Sequence, residues 1–213
     1  MKTIACLAIF ACALTVGGTA QAQDVQITTF KRDSVYSLNG QTFTVTRNQN
    51  MNATFQGEFA RTSRACPLDC IQPMRIADGV STLGELELLD FLEDRLTGGT
   101  GLMLDTRVPA EFATGSIPGG VNVPDATLDY ENRFRGDILR ALGAVAKVDG
   151  SLELTNAMAL TLYSGGVWSN DAPNAIGHLM TAGYPANKLF YYRGGMQAWA
   201  HVGLTIHQSQ NLG

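Results

Sequence analysis

Apolar and polar positions follow one another along this chain in a way that predicts strands followed by helices. Residues 159–163 form a short, mostly apolar run, typical of a parallel strand buried on both faces, and residues 170–180 return to helical spacing. Further strands are predicted at 102–104, 121–123 and 189–192, and further helices at 82–96, 108–114, 135–145 and 195–201. This alternation predicts an α/β fold with a parallel-rich central sheet flanked by helices on both faces.

Local signals define several element ends. Thr82 and Glu85 have the spacing of a capping box, so the helix that ends near residue 96 is expected to begin there. Asn39-Gly40 lies between two β-favouring stretches within residues 35–45, which predicts a hairpin with a type I′ turn. An isolated hairpin is only marginally stable, so this N-terminal extension should pack on the main domain. Residues 48–64 are expected to be irregular.

The first 22 residues resemble a Sec-type signal peptide. Lys2 provides a basic start, residues 4–16 form an apolar core too short to span a bilayer, and small residues precede a cleavage point near Ala22 and Gln23. The mature protein is therefore expected to be soluble and periplasmic. The predicted division is a signal peptide (1–22), a β-rich extension (23–79), the α/β domain (80–206) and a tail (207–213).

The composition and net charge of the chain bear on the classes of partner that it could bind. The chain has 213 residues, 45% of them hydrophobic, and a formal net charge of −4. These values suit one globular domain, and they give no reason to expect a nucleic acid, or a membrane once the signal peptide is cleaved.

Signal cleavage removes two of the four cysteines and leaves Cys66 and Cys70 in an oxidising compartment. A structural disulfide is the favoured interpretation, and a redox-active or sulfur-carrying pair is the alternative. Zinc is disfavoured because two further ligands would be needed and the histidines are distant in sequence. We therefore expect no metal and no cofactor. The histidines are His178, His201 and His207.

A glycine loop joins the central strand to the next helix. This loop, hereafter the Ser164 loop, comprises Ser164, Gly165, Gly166, Val167, Trp168 and Ser169. Adjacent glycines and a helix start offer backbone N–H groups to an anion, a geometry that normally activates a thiolate. The first residue is a serine, whose hydroxyl stays protonated near neutral pH, so the loop lacks a reactive sulfur.

Three segments together resemble the rhodanese, or sulfurtransferase, family. Residues 104–124 resemble its first signature, residues 193–199 (Arg-Gly-Gly-Met-Gln-Ala-Trp) its C-terminal signature, and the loop after Tyr163 falls where the family carries its active cysteine. The resemblance covers about residues 80–206. It implies sulfane-sulfur transfer through a cysteine persulfide, but Ser164 stands at the persulfide position and Ser169 at that of a second cysteine.

The resemblance thus implies a rhodanese-like domain without conventional sulfurtransferase activity. One hypothesis is a binding module in which the Ser164 loop holds a small anion, a sulfur-containing small molecule or a group of a periplasmic partner protein. The alternative is a thiol-exchange or sulfur-relay protein that uses Cys66 and Cys70. In a third interpretation, Ser164 and Ser169 were introduced in place of cysteines to trap a ligand in an otherwise active enzyme.

Residues flanking the loop have competing interpretations. Asp105 and Arg107 are expected to form a structural pair rather than a catalytic one. Arg193 could help to hold an anion or form a surface salt bridge, and Trp168 could line the mouth of the site or pack. The Ser164 hydroxyl could donate to a bound anion or meet only water and backbone.

Overall fold

The secondary structure follows the apolar runs of the sequence. A computed structural model of the chain describes residues 24–67 and 69–208, so the predicted signal peptide and its cleavage point lie outside the described residues. The strands in this part of the chain are β1 (Ser34–Leu38), β2 (Gln41–Val45), β3 (Ser81–Leu83), β4 (Gly101–Asp105), β5 (Val121–Asn122), β6 (Val145–Ala146), β7 (Leu152–Glu153), β8 (Ala159–Tyr163) and β9 (Leu189–Tyr192). The α-helices are α1 (Glu85–Phe91), α2 (Pro109–Thr114), α3 (Arg135–Ala141), α4 (Asp171–Thr181) and α5 (Gly195–His201).

Five strands form the central sheet, in the order β3-β9-β8-β4-β5. Every neighbouring pair is parallel, and β8 lies in the middle. Parallel neighbours require crossover connections, which α1, α2, α3 and α4 supply in turn. The predicted α/β fold with a parallel sheet is confirmed.

Alternate residues of the strands face two separate cores. Leu160 and Leu162 of β8 pack in one core with α3 and α4, whereas Ala159 and Tyr163 pack in the other with α1 and α5. Because both faces are covered, every residue of β8 is buried. This explains why β8 reads as a continuous apolar run.

The predicted N-terminal hairpin is also present. Strands β1 and β2 pair in antiparallel fashion, and Asn39 (φ 51°) and Gly40 (φ 81°) both have the positive φ of a type I′ turn. Tyr36 and Val45 are buried in the core shared with α1 and α5. The hairpin therefore packs on the main domain, as expected.

The predicted helix start at Thr82 is wrong. Thr82 belongs to the edge strand β3, opposite Tyr191 of β9, and its hydroxyl donates to the carbonyl of Met74. The N-cap is Gly84, whose N–H donates to Glu87 Oε2 at 3.1 Å. After α1 the chain continues as a π-helical turn, Leu92–Leu96. Edge pairing with β9 takes Thr82 out of the helix, and sequence spacing alone does not show such pairing.

Two other regions differ from the sequence prediction. The helix predicted at 135–145 ends at Ala141, before Gly143, which has a φ of 98° that disfavours helix. Val145 then pairs with Glu153 in the small β6–β7 hairpin. Within the stretch expected to be irregular, Gly57–Ala60 forms a 3-10 turn.

The predicted Cys66–Cys70 disulfide is present, with the two Cα atoms 4.7 Å apart. Within the described part of the chain, no helix is long and apolar enough to cross a membrane.

Candidate functional site

The Ser164 loop begins at the carboxyl end of the central strand. Ser164 follows Tyr163, the last residue of β8, whose register partners Asp105 and Tyr192 end the two neighbouring strands. Thr106 donates from its N–H to the carbonyl of Tyr163 at 3.0 Å. Three strand ends therefore meet at Ser164, the position where parallel α/β sheets bind ligands.

The carbonyl groups of the first four loop residues, Ser164 to Val167, each accept a hydrogen bond from a protein N–H. Those of Ser164 and Gly165 accept from the first-turn N–H groups of α5, Met196 at 3.0 Å and Gln197 at 2.9 Å. The carbonyl of Gly166 accepts from Ser169 at 3.0 Å, and that of Val167 accepts from Gln72 at 2.8 Å. A trans peptide places its N–H on the side opposite its carbonyl, so this anchoring fixes where the following N–H groups point.

The N–H groups in the first part of the loop have no hydrogen-bond acceptor within the part of the protein that the structure describes. Within the described ranges, no protein acceptor receives a hydrogen bond from the N–H of Gly165, Gly166, Val167 or Trp168. Buried amides without a partner are rare because they lose hydration without compensation. Gly165 and Gly166 are buried and Val167 and Trp168 are half-buried, so these N–H groups, the two glycine ones above all, form a site that a small anion could satisfy.

Ser164 is buried, and the described histidines lie away from it. The residue is 2% exposed, and its hydroxyl makes no hydrogen bond within the described part of the chain. The histidines lie elsewhere: His178 faces Asp129, and His201 packs against Phe55. A serine nucleophile needs an adjacent base, which none of the described histidines supplies.

Trp168 packs directly over the two glycines of the loop. A Cβ atom on Gly165 would lie 2.7 Å from Cη2 of the indole, and one on Gly166 would lie 2.9 Å from its Nε1. The indole Nε1 donates to Gln197 Oε1 at 3.1 Å. Glycine is required at both positions because any side chain would displace the indole.

Asp105 and Arg107 form a buried ion pair next to the loop. Their exposed fractions are 0% and 2%, and Arg107 donates to both carboxylate oxygens of Asp105 and to the carbonyls of Glu111 and Gly115. Burial acts to lower the pKa of Arg107, and the hydrogen bond and charge of Asp105 outweigh it, so the pKa is raised. These contacts brace the β4–α2 connection and leave the guanidinium committed to protein acceptors.

A further carboxyl lies where the loop enters α4. Asp171 Oδ2 accepts a hydrogen bond from the Ser169 hydroxyl at 2.9 Å. Burial raises the pKa of Asp171 to about 6; the hydrogen bond from Ser169 opposes this shift, and the carboxylates of Asp125, Glu111 and Asp105 add to it. Negative charge on Asp171 therefore grows around pH 6, beside the available amides.

The Arg193 guanidinium donates to a backbone carbonyl, and no described carboxylate pairs with it. Its Nε and Nη2 donate to the carbonyl of Gln72 at 2.9 and 2.7 Å. The same Gln72 donates its N–H to Val167, and its side chain donates to Asn170 and to the carbonyl of Cys70. Arg193 thus fastens the segment that carries the disulfide to the loop.

Arg64 and Gln72 were missed in the sequence because their contacts are long-range. The Arg64 guanidinium lies 3.7 Å from the centroid of the Trp168 ring, and its side chain is 4% exposed. Arg64 ends a stretch without a motif, and Gln72 follows the cysteine pair, whose spacing gives no sign of a contact with the loop. Asp171 and Gln197 lie within or next to the segments recognised in the sequence, so only their contact partners could not be predicted.

Among the described residues there is no group of His, Cys, Asp and Glu that could hold a metal ion.

Among solved structures, the chain is similar to a thiosulfate sulfurtransferase from Pseudomonas aeruginosa (26% identity over 62% of this chain and 21% of that one, TM-score 0.41). It is also similar to the human single domain sulfurtransferase TSTD1 (21% identity, 57% and 96%, TM-score 0.38) and to a rhodanese-related protein from Thermoplasma volcanium (16% identity, 61% and 99%, TM-score 0.39).

The chain spans about a fifth of the Pseudomonas protein, and no curated protein matches it. The decisive match is that of the model of the rhodanese-like domain to residues 88–201, more than half of the sequence. That range holds the Asp105–Arg107 pair, the Ser164 loop and the start of α5, and the chain therefore belongs to the rhodanese-like domain family.

Proposed function

We propose that this chain is an exported rhodanese-like protein that binds a small oxyanion, or an acidic or thiol group of a periplasmic partner, without transferring sulfur. The observation that carries the proposal is the combination of four available N–H groups with a hydroxyl at the reactive position. The amides favour an anion, whereas an unactivated hydroxyl carries no transferable sulfur.

Export is supported by two features. The first 22 residues have the composition of a signal peptide, and the remaining cysteine pair forms a disulfide, which persists in oxidising compartments. With Cys66 and Cys70 bonded to each other, neither provides a free thiolate to carry sulfur.

Sulfur transfer from thiosulfate to cyanide tests the proposal. The chain is expected to be silent, and Ser164→Cys is expected to gain turnover because the new thiol would sit beside the available amides. Ser169→Cys is the matched control: it adds the same atom at a position hydrogen-bonded to Asp171, and it should remain silent. Turnover by the unsubstituted chain would contradict the proposal.

Binding is measured separately by titration calorimetry with thiosulfate and sulfate. We expect one site per chain and weaker binding as the pH rises through about 6, because ionised Asp171 repels an anion at the adjacent amides. Asp171→Asn should remove most of this pH dependence. Absence of binding by either anion, in both proteins, would remove the support for the anion site.

A further inference from the structure

The Ser164 loop is covered by a segment of the N-terminal extension. We define the cover segment as residues 58–67 and 69–72. It contacts the loop at two points, through Arg64 stacked on Trp168 and through Gln72 hydrogen-bonded to Val167. Gln197 of α5 also joins the indole of Trp168 to the carbonyls of Phe59 and Arg61, near the start of the segment. Ser164 and Ser169, in the loop that these contacts reach, are only 2% and 3% exposed.

The cover segment is held mainly by polar contacts. Its described residues are exposed or half-buried as whole residues, although the Arg64 side chain is 4% exposed, and Phe59 is its one contribution to the hydrophobic cores of the described chain. Segments with few buried apolar contacts open at a lower free energy than the whole domain unfolds. The loop beneath them, in contrast, is anchored to α5 and to the central strand. Local opening of the cover segment therefore exposes the N–H groups of Gly165, Gly166 and Val167 already in place, whereas the Trp168 N–H follows the Val167 carbonyl that Gln72 holds.

Arg64 is the contact best placed to act as a latch. Its guanidinium lies on the Trp168 ring and also donates to the carbonyls of Arg61 and Glu58 and to the Glu58 carboxylate. The hydrogen bonds to Glu58 and Arg61 stabilise the fold of the cover segment itself, and the stacking on Trp168 attaches the segment to the loop. Removal of the guanidinium releases both at once.

The disulfide lies within the same segment. It closes a five-residue ring ending at Cys70, whose carbonyl accepts from the side chain of Gln72. Gln72 in turn makes the contacts with Val167 and Arg193. Cys66 is exposed to solvent, so a dithiol reductant can reach the bond. In that exchange the reductant is oxidised to its disulfide, and the S–S bond is replaced by two cysteine thiols.

We propose that the cover segment is a redox-sensitive lid over the Ser164 loop, latched by the Arg64–Trp168 stack and kept in register by the Cys66–Cys70 disulfide. This rests on the proposed function only in taking the Ser164 loop as the ligand site. A ligand reaches the four N–H groups when the lid opens, and reduction by a dithiol favours the open form.

Thiol labelling measures the opening without any ligand. In Ser164→Cys with the disulfide intact, the introduced thiol is the free one among the described residues, and its rate of alkylation by iodoacetamide reports access to the loop. Adding Arg64→Ala, or replacing both lid cysteines (Cys66→Ser with Cys70→Ser), is expected to raise this rate at least tenfold. Arg75→Ala, which removes an equally charged but exposed side chain paired with Asp78, is the control and should leave the rate unchanged.

Rates are compared on the high-pH plateau of each variant, so that a changed pKa of the introduced thiol does not mimic opening. Near-UV circular dichroism establishes that each variant is folded. Equal rates with and without Arg64 and the disulfide would overturn the lid, as would a rate in the parent equal to that of a free small thiol. Because no anion is involved, failure of anion binding contradicts the proposed function and leaves this result standing.

Discussion

At the residue scale, Asp171 is expected to make stability depend on pH. Burial raises the pKa of this carboxyl from 3.8 to about 6 in the folded protein. Between these values the folded state binds more protons than the unfolded state, so the free energy of unfolding falls as the pH rises from about 4 to about 6. Above that window the ionised carboxylate remains a destabilising charge.

Asp171→Asn should remove this dependence because the amide keeps an acceptor for the Ser169 hydroxyl and carries no charge. Urea unfolding at pH 4 to 8 is the measurement. The stability of Asp171→Asn relative to the parent is expected to increase through the window and then level off. Asp78→Asn, which removes a carboxyl that is 97% exposed, is the control. A relative stability that does not change with pH would show that Asp171 titrates normally.

At the element scale, the joint between the Ser164 loop and α5 depends on Gly195. This residue has a φ of 56°, and a Cβ atom would lie 2.4 Å from the Ser164 carbonyl oxygen and 2.8 Å from the Gly166 nitrogen. Both are backbone atoms, which cannot rotate away. Gly195→Ala is therefore expected to lower the free energy of unfolding by about 2–4 kcal/mol and to weaken anion binding.

Gly177→Ala is the matched control, measured by the same chemical denaturation. Gly177 lies inside α4, and a Cβ atom there would meet nothing within 4 Å. Because alanine has a higher helix propensity than glycine, the free energy of unfolding of this variant should rise by up to about 1 kcal/mol. If both variants changed stability equally, the close approach of Gly195 to the loop would not be the cause.

The elements also differ in how well the sequence predicts them. Strand β8, the Ser164 loop and α4 were predicted closely because burial on both faces and helical spacing are local patterns. Thr82 was placed in the wrong element because its partner, Tyr191, is distant in sequence. The disulfide of the cover segment was predicted, but its contact with the loop could not be, because the stack of Arg64 on Trp168 leaves no periodic signal in either stretch.

At the scale of the whole molecule, the N-terminal hairpin shares a core with the rhodanese-like domain. Tyr36 is 1% exposed, its ring stacks with Phe43 at 5.8 Å, and its hydroxyl donates to the carbonyl of Pro118 at 2.8 Å. The ring also belongs to the core that contains Trp199. We therefore expect the hairpin and the α/β domain to unfold in one cooperative transition.

Tyr36→Ala tests this coupling because both tryptophans, Trp168 and Trp199, lie outside the hairpin. Tryptophan fluorescence should show that Tyr36→Ala lowers the free energy of unfolding by about 3–5 kcal/mol, as expected for loss of a fully buried ring. Tyr36→Phe, which removes only the hydroxyl, should lower it by about 1 kcal/mol. Val35→Ala changes a neighbour that is 51% exposed and should have little effect. A hairpin that unfolds independently would leave the fluorescence midpoint of Tyr36→Ala unchanged, since the loss would then be confined to residues that neither tryptophan reports.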